Sequence, residues 1–384
     1  MKNNINTLKI LIIVKSIDGG TGTFILDFLK IKKLYKDGEI VIKTLVLERP
    51  TYRKIKEKGF KYLRREGFYP QHYSLAFRNF LAFYKEILWI RKWITKSNPQ
   101  IIVGIDMRCN LLAIVSKLLS RRPFKVVATS HIDLGRMLFD KSTPILNFIL
   151  RFIIHFFYNQ ADILVGVSKE LSSNLKKDFH LKQSITTIYN GLNITRAKPH
   201  IVSKKDRKVI ISVGRLSRQK DFETLIKAFS MLLKQMTKIE LWILGDGPKR
   251  QELKKLVKKY SLEKQIIFFG WINNVKSYIS QADIFVLSSK MEGFGYVLIE
   301  AMQGGIPVIS TNTPYGPKEI LGNGKYGILV PIGQPVKMQK AMFEVLSNKN
   351  KYNYFSKKSM ERSKYFSIDE MIKGYKYVIS KLVD

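Results

Sequence analysis

Residues 290–310 read KMEGFGYVLIEAMQGGIPVIS, and their reading decides the fold. Immediately before them, Asp283-Ile284-Phe285-Val286-Leu287-Ser288 is a nearly continuous apolar run, the signature of a parallel strand buried on both faces. A loop follows in which Gly293 and Gly295 flank Phe294. A helical period begins near Tyr296 and turns Val297, Leu298, Ala301 and Met302 inward. Gly304-Gly305 ends that helix, and residues 306–310 start the next strand. Two carboxylates bracket the loop: Glu292 sits at the carboxyl end of a strand, and Glu300 lies on the helix.

In open α/β sheets, ligands bind outside the carboxyl ends of the strands. A glycine loop that opens a helix lets backbone N–H groups come close to an anion or a sugar hydroxyl. A carboxylate at such a loop can accept hydrogen bonds from hydroxyls and stabilise developing positive charge. A second one on the helix can hold a diol.

The same unit recurs upstream. Residues 208–213 read as a strand, residues 214–221 (GRLSRQKD) as its loop and residues 222–233 as its helix. Arg215 and Lys220 therefore stand at a strand's carboxyl end, where a guanidinium grips phosphate bidentately and an ammonium adds a point charge. Residues 240–244 form a strand ending at Gly245-Asp246-Gly247-Pro248, and residues 265–269 a strand left through Gly270-Trp271. After Ser310 come a last strand at 327–330 and helices from about residue 335 and over 368–382.

The first half has the same alternation. Residues 8–14 read as a central strand running into Asp18-Gly19-Gly20-Thr21-Gly22-Thr23, with a helix over 24–35. These glycines match neither the dinucleotide fingerprint nor the P-loop, so they predict a generic ligand loop. Strands follow at 39–47, 101–105, 125–129, 161–167 and 184–188. The fourth strand of the chain delivers His131 to its carboxyl end. The other histidines (His72, His155, His180, His200) have no such placement and no metal-ligand spacing, so no metal and no cofactor are expected. The helix at 144–158 is very apolar, with Arg151 and His155 on it, and reads as core, the alternative being membrane contact. Residues 198–208 read as a linker.

Composition bounds the function. The chain has 384 residues, is 45% hydrophobic and carries a formal charge of +37, with a pI near 10.0. Such a charge favours an anionic partner: phosphorylated ligands, an anionic membrane surface or nucleic acid. No nucleic-acid-binding motif is present, so nucleic acid is not expected. Cys109 is the only cysteine, which fits a reducing compartment. Residues 8–14 are too short for a signal-peptide core, and no run is long enough to span a membrane. Residues 49–96 interleave bases with aromatics, and 75–94 has a helical period. That combination describes a helix in a membrane interface, the alternative being ordinary packing on the sheet.

The ordered set GRLSRQKDF, GDGP, MEGFGYVLIEAM and GIPVIS resembles the nucleotide-binding half of glycosyltransferase family 4, and Glu292 with Glu300 matches that family's pair of glutamates spaced eight apart. The likeness is dense over 209–331 and thinner over the first half, in the glycine loop, Ser130-His131, VSKEL and YNGLNI. It implies an α/β GT-B fold: two Rossmann-like domains with parallel sheets facing across a cleft, residues 1–198 for the acceptor and 199–366 for the nucleotide-sugar donor, with 367–384 a helix crossing back. It further implies a retaining, hexosyltransferase-type enzyme without a cofactor. Arg215 and Lys220 would bind the donor diphosphate, and Glu300 the ribose. Glu292 with the backbone of Gly293, Phe294 and Gly295 would bind the sugar. His131 would contact that sugar, Trp271 would border the base, and Gly19 and Gly20 would approach phosphate or acceptor. Thr21-Gly22-Thr23 departs from the family's acidic continuation at that loop.

Tyr315-Gly316-Pro317-Lys318-Glu319 is similar to members that build bacterial surface polysaccharides. The expectation is a cytoplasmic protein, peripheral on the inner face of the cell membrane, that uses a nucleotide-sugar donor (UDP-sugar favoured) and a lipid-linked saccharide, lipopolysaccharide or capsule acceptor. A soluble acceptor, or a basic nucleic-acid- or membrane-binding protein without transferase activity, are the alternatives.

Overall fold

The computed structural model describes residues 7–15, 19–36, 39–47, 77–139, 144–193 and 206–383. The chain divides into two units, Met1–Gly191 with Ile368–Asp384, and Leu192–Ser367.

In the first unit, strands β1 (Leu8–Val14), β2 (Ile40–Val46), β3 (Ile101–Ile105), β4 (Lys125–Ser130), β5 (Ile163–Gly166) and β6 (Ile185–Thr187) alternate with helices α1 (Gly19–Phe28), α2 (Phe77–Ser97), α3 (Asp106–Leu118), α4 (Leu134–Phe139), α5 (Pro144–Tyr158) and α6 (Lys169–Asp178). The second unit holds β7 (Lys208–Val213), α7 (Phe222–Leu233), β8 (Ile239–Leu244), α8 (Arg250–Lys259), β9 (Ile266–Gly270), α9 (Val275–Ile279), β10 (Ile284–Leu287), α10 (Tyr296–Gln303), β11 (Val308–Thr311), α11 (Gly316–Ile320), β12 (Ile328–Val330), α12 (Pro335–Ser347) and α13 (Lys349–Ser363). The last helix, α14 (Ile368–Val383), belongs to the first unit.

Each unit is built on one six-stranded parallel sheet, ordered β2-β1-β3-β4-β5-β6 and β12-β11-β10-β7-β8-β9. The strand sequences explain this. IIVGI of β3 and IFVL of β10 are buried at every position, as strands covered on both faces must be. One core gathers Leu11, Ile90, Leu112, Val126 and Leu164, and the other Ile210, Phe229, Leu241, Val286 and Met342. In both sheets the chain leaves its first strand to one side and later returns on the other. This places a topological switch between β1 and β3 and another between β7 and β10, where helices diverge and ligand crevices form.

The helix after β1 begins at Gly19, not at residue 24, so Gly19 and Gly20 form its first turn; after Phe28 it tightens into a short 3-10 segment, Leu29–Leu34. Ser168 caps α6 as its sequence suggests, its Oγ accepting the Leu171 N–H at 3.2 Å. Helix α13 shows only a short apolar stripe, because after Tyr352 and Phe355 the same face continues with the buried Ser359 and Ser363. Helix α5, read as core, turns only Ile154 and Tyr158 fully inward and leaves a row of large apolar side chains in water. Its polar residues Asn147, Arg151 and His155 recur every four residues along one side, next to the buried Ile154 and Tyr158, and the opposite face is wholly apolar. In α2, Ile87, Ile90 and Ile94 are buried while Leu88 is exposed; residues 49–76 of the basic-aromatic stretch lie outside the described residues.

Candidate functional site

The switch of the second sheet brings together what the sequence separates. The loop after β7 carries Arg215 and Lys220; the loop after β10 carries Glu292. Backbone and side-chain bonds lace the two loops: Lys290 N–H donates to Gln219 O at 2.8 Å, Gln219 Nε2 to Met291 O at 2.8 Å, and Ser288 Oγ to Lys220 O at 2.9 Å. Within that frame Lys220 Nζ donates to Glu292 Oε1 at 2.5 Å, and Ser289 Oγ donates to the same oxygen at 2.6 Å.

A buried carboxylate is tolerated only when charge and hydrogen bonds compensate its lost hydration. Glu292 is buried and receives both. Ser289 is itself fixed by Thr311, whose Oγ1 donates to Ser289 O at 2.5 Å. Ser289 was not singled out from the sequence. The readable signal was a serine three residues before a strand-end glutamate.

Arg215, by contrast, is exposed and makes no hydrogen bond or ion pair with a described residue. Lys220 and Glu292 compensate each other, and Arg215, with Arg218 three residues on in the same loop, adds exposed positive charge at this edge.

Two glycines shape the crevice. Gly295 has φ +99° and stands at the start of α10, a conformation that L-residues with a Cβ rarely adopt. It turns the chain so that the backbone of Gly293, Phe294 and Gly295 precedes the positive end of the α10 dipole. A Cβ on Gly245 (φ +132°) would lie 2.0 Å from Gly214 O, so the turn after β8 and the loop after β7 touch through bare backbone. Leu216 N–H donating to Asp246 O at 3.0 Å and Lys249 N–H to Leu216 O at 2.9 Å close that contact.

Glu300 lies further along α10, and burial pushes its carboxyl up to about 7, with Lys276 opposing. It is poised to titrate near neutrality. Trp271 stands exposed beyond β9, one strand-end further along the same edge. Behind the loop, Phe294 packs edge-on against Phe366 at 5.8 Å. Arg362 stacks on Tyr326, Tyr365 and Phe366 and donates to Ile320 O and Glu319 O, both at 3.0 Å, which satisfies carbonyls at the end of α11.

In the first unit His131 follows β4. Its backbone N–H donates to Asp106 Oδ1 at 3.0 Å, and its ring meets Phe24 of α1 in a T-shaped contact at 4.5 Å. The helix opened by Gly19 and Gly20 is thus brought against His131. Thr129 Oγ1 lies 3.0 Å from Gly104 O and 3.2 Å from His131 Nε2 and so ties the ring to β3. Burial lowers the imidazolium pKa, with Asp106 opposing, which favours the neutral ring. Asp106, at φ +65° and beside the β1/β3 switch, escaped the sequence reading although it ends a strand. Phe24 and Phe28 both pack on Tyr375 of α14, at 5.8 and 4.9 Å.

Among the described residues no group of histidine, cysteine, aspartate or glutamate could hold a metal ion. A cavity of about 620 Å³ lined by Lys117, Arg121, Arg122, Lys125 and Asp162 opens at the amino edge of the first sheet and contains none of the residues above.

With the geometry in view, comparison with known proteins places the chain. Residues 193–362 match the model described as Glycosyl transferases group 1, and residues 49–196 that of Glycosyltransferase Family 4. The chain is 30% identical over 220 residues to an N-acetylgalactosamine-N,N'-diacetylbacillosaminyl-diphospho-undecaprenol 4-alpha-N-acetylgalactosaminyltransferase of Campylobacter jejuni, covering 56% of this chain and 59% of that one. It is 28% identical over 197 residues to the lipopolysaccharide core biosynthesis glycosyltransferase LpsE of Rhizobium meliloti, covering 50% and 56%. The matches thus span little more than half the length of these relatives. The apo structure of the lipopolysaccharide outer core galactosyltransferase WaaB superposes with a TM-score of 0.74 at 21% identity, over 97% of this chain and 99% of that one, which shows a shared fold. The chain thus has the GT-B fold and is similar to family-4-like glycosyltransferases along both halves, through the Family 4 match in the first and the group 1 match in the second.

Proposed function

We propose that the protein transfers a hexosyl-type sugar from a nucleotide-sugar, with a UDP-sugar favoured, to a lipid-linked saccharide or a lipopolysaccharide or capsule acceptor, with retention at the anomeric carbon. The observation that carries this is the Lys220–Glu292–Ser289 cluster beside the unpaired Arg215 at the β7/β10 switch. It offers positive charge for a diphosphate next to hydrogen-bond acceptors for a sugar. The C. jejuni relative, whose name includes a diphospho-undecaprenol saccharide, and LpsE, named for lipopolysaccharide core biosynthesis, support the acceptor class. A structural neighbour, Anabaena HepE, was solved with UDP and glucose and supports the donor class.

The chemistry follows from the residues. The bond between the anomeric carbon and the diphosphate oxygen breaks while an acceptor hydroxyl attacks from the same face. The departing phosphate oxygen takes the hydroxyl proton. Arg215 and the remaining Lys220 donors meet the growing charge on the diphosphate, a contribution that preorganised donors make in the transition state. Glu292, anchored through Oε1, accepts from sugar hydroxyls and faces the oxocarbenium-like centre. Retaining hydrolases use two close carboxylates. Here Glu292 is the strand-end carboxylate of the cluster, and Glu300 is assigned to the ribose. In the first unit His131, whose neutral ring burial favours, is the candidate group for substrate.

Thermal unfolding of the purified protein with UDP-, GDP- and ADP-sugars, with and without EDTA, tests the reading. Donor at a hundredfold its dissociation constant should add about 2.7 kcal/mol. The expected result is stabilisation by one nucleotide class, indifferent to EDTA and absent in Arg215→Ala. No stabilisation by any of the three would overturn it, and loss with EDTA would move the diphosphate from Arg215 and Lys220 to a metal.

A further inference from the structure

Helix α5 is held by one face and bare on the other. Ile154 and Tyr158 are buried in the first core, and Tyr158 Oη accepts from Asn110 Nδ2 at 3.0 Å. On the far side Ile145 is 76% exposed, Phe148 73% and Phe152 62%, with Ile149 and Phe156 exposed beside them. Spacings of three and four put these five side chains in one stripe along the helix. Single exposed apolar residues are ordinary; a contiguous row of large ones marks a surface meant to be covered.

Charge and length identify what covers it. Residues 141–161 contain Lys141, Arg151 and His155 and no acid, in a chain of net charge +37. A second copy would bring like charge against like, whereas an anionic surface is attracted. Fifteen residues of helix reach about 22 Å, short of the roughly 30 Å of a bilayer's hydrocarbon core. No helix among the described residues is long and apolar enough to cross a membrane. A short helix with one exposed apolar stripe, bordered on one side by Arg151 and His155, suits the plane of a lipid interface.

We propose that the outward face of α5 docks the protein on an anionic lipid bilayer, with Ile145, Phe148, Ile149, Phe152 and Phe156 entering the interface. The element is the apolar helix whose sequence reads as core with membrane contact as the alternative, and it lies apart from the basic-aromatic stretch at 49–96. Its direction matters too. The helix leaves the carboxyl edge of the first sheet after β4 and returns to the amino edge before β5, because those strands are parallel. Its most exposed end, Ile145 and Phe148, therefore lies toward the edge that bears His131. A bilayer held there brings lipid headgroups to the substrate edge of this unit. That last step rests on the lipid-linked acceptor proposed above; docking itself does not.

Flotation with vesicles of phosphatidylcholine alone, or mixed with phosphatidylglycerol, tests it on the full chain. The intact protein should float with the mixed vesicles, less so as salt rises, and the Phe148→Ser/Phe152→Ser double variant should bind at least about tenfold more weakly. Leu88→Ser, at an exposed residue of α2 in the same unit, should bind as the parent does. A Phe152→Trp variant reports insertion directly, through a blue shift of its fluorescence on the mixed vesicles. Equal flotation of parent and double variant, or equal flotation with both vesicle types, would overturn the proposal. So would a parent that ignores vesicles but doubles its mass in solution through Phe148 and Phe152. The donor stabilisation test reads the strand-end cluster of the second unit alone, so either proposal can fail without the other.

Discussion

Lys220 and Glu292 are 72 residues apart in the chain and 2.5 Å apart in the fold. Each makes the other tolerable: the carboxylate is almost wholly out of water, and the ammonium supplies its counter-charge. Removing one partner leaves an uncompensated charge. Lys220→Met should therefore lower stability by about 3 kcal/mol, and the Lys220→Met/Glu292→Gln pair should recover most of that loss while remaining inactive. Urea unfolding of the two single variants and the double variant measures the coupling. Additive losses would show that the pair does not act as a unit.

Arg215 stands in the opposite situation. It holds nothing described in place, so Arg215→Ala should change stability by no more than about 0.5 kcal/mol. If it meets charge on the leaving diphosphate, turnover should fall by roughly a hundredfold or more. Turnover within a factor of two of the parent would remove that role.

Glu300 supplies a pH dependence whose sign is fixed. Its carboxyl ionises near 7 in the folded chain against an ordinary 4.5. The folded state holds this proton more tightly, so the contribution is fully present below about 4.5 and is lost as pH rises through 7. Glu300→Gln, which stays neutral, should match the parent's melting temperature at pH 4.5 and gain on it progressively up to pH 8. If the ionised carboxylate accepts from a ribose diol, parent affinity for a UDP-sugar should rise between pH 6 and 8. The glutamine variant should show no such rise.

Arg362 is a positioning residue for the loop that bears Glu292. It ties the end of α11 and underlies Phe366, which packs on Phe294. Arg362→Lys keeps the charge but loses the planar fork, and should cost about 1–2 kcal/mol. A larger rise in KM for donor than fall in kcat would locate the effect in the loop. Equal changes in both would point to general loosening.

How much was legible follows from where the information lay. The strand-end residues Arg215, Lys220 and Glu292 could be placed on one edge from apolar runs and glycines alone, because a parallel sheet puts every strand's exit on the same side. What tied them together could not. Ser289 and Asp106 act through contacts across loops, and no periodicity announces a cross-loop hydrogen bond. The limits of α1 were misjudged because Gly19 and Gly20 read as a turn yet supply helical residues. Helix α13 is hard to read because the face begun by Tyr352 and Phe355 continues with the buried Ser359 and Ser363. Helix α5 reads as core because most of its surface is apolar, and only the fold shows that the core takes the side next to Asn147, Arg151 and His155 and leaves the wholly apolar face in water.

The placement of α14 sets an order of events. It closes the first unit, although residues 192–367 of the other unit separate it from the rest. On the ribosome, domains fold as their sequences emerge. The second unit is therefore complete in sequence before the first has its last helix, and Phe24 and Phe28, among the earliest core residues made, wait for Tyr375 to be covered. The half of the protein that is translated first is the half that finishes last.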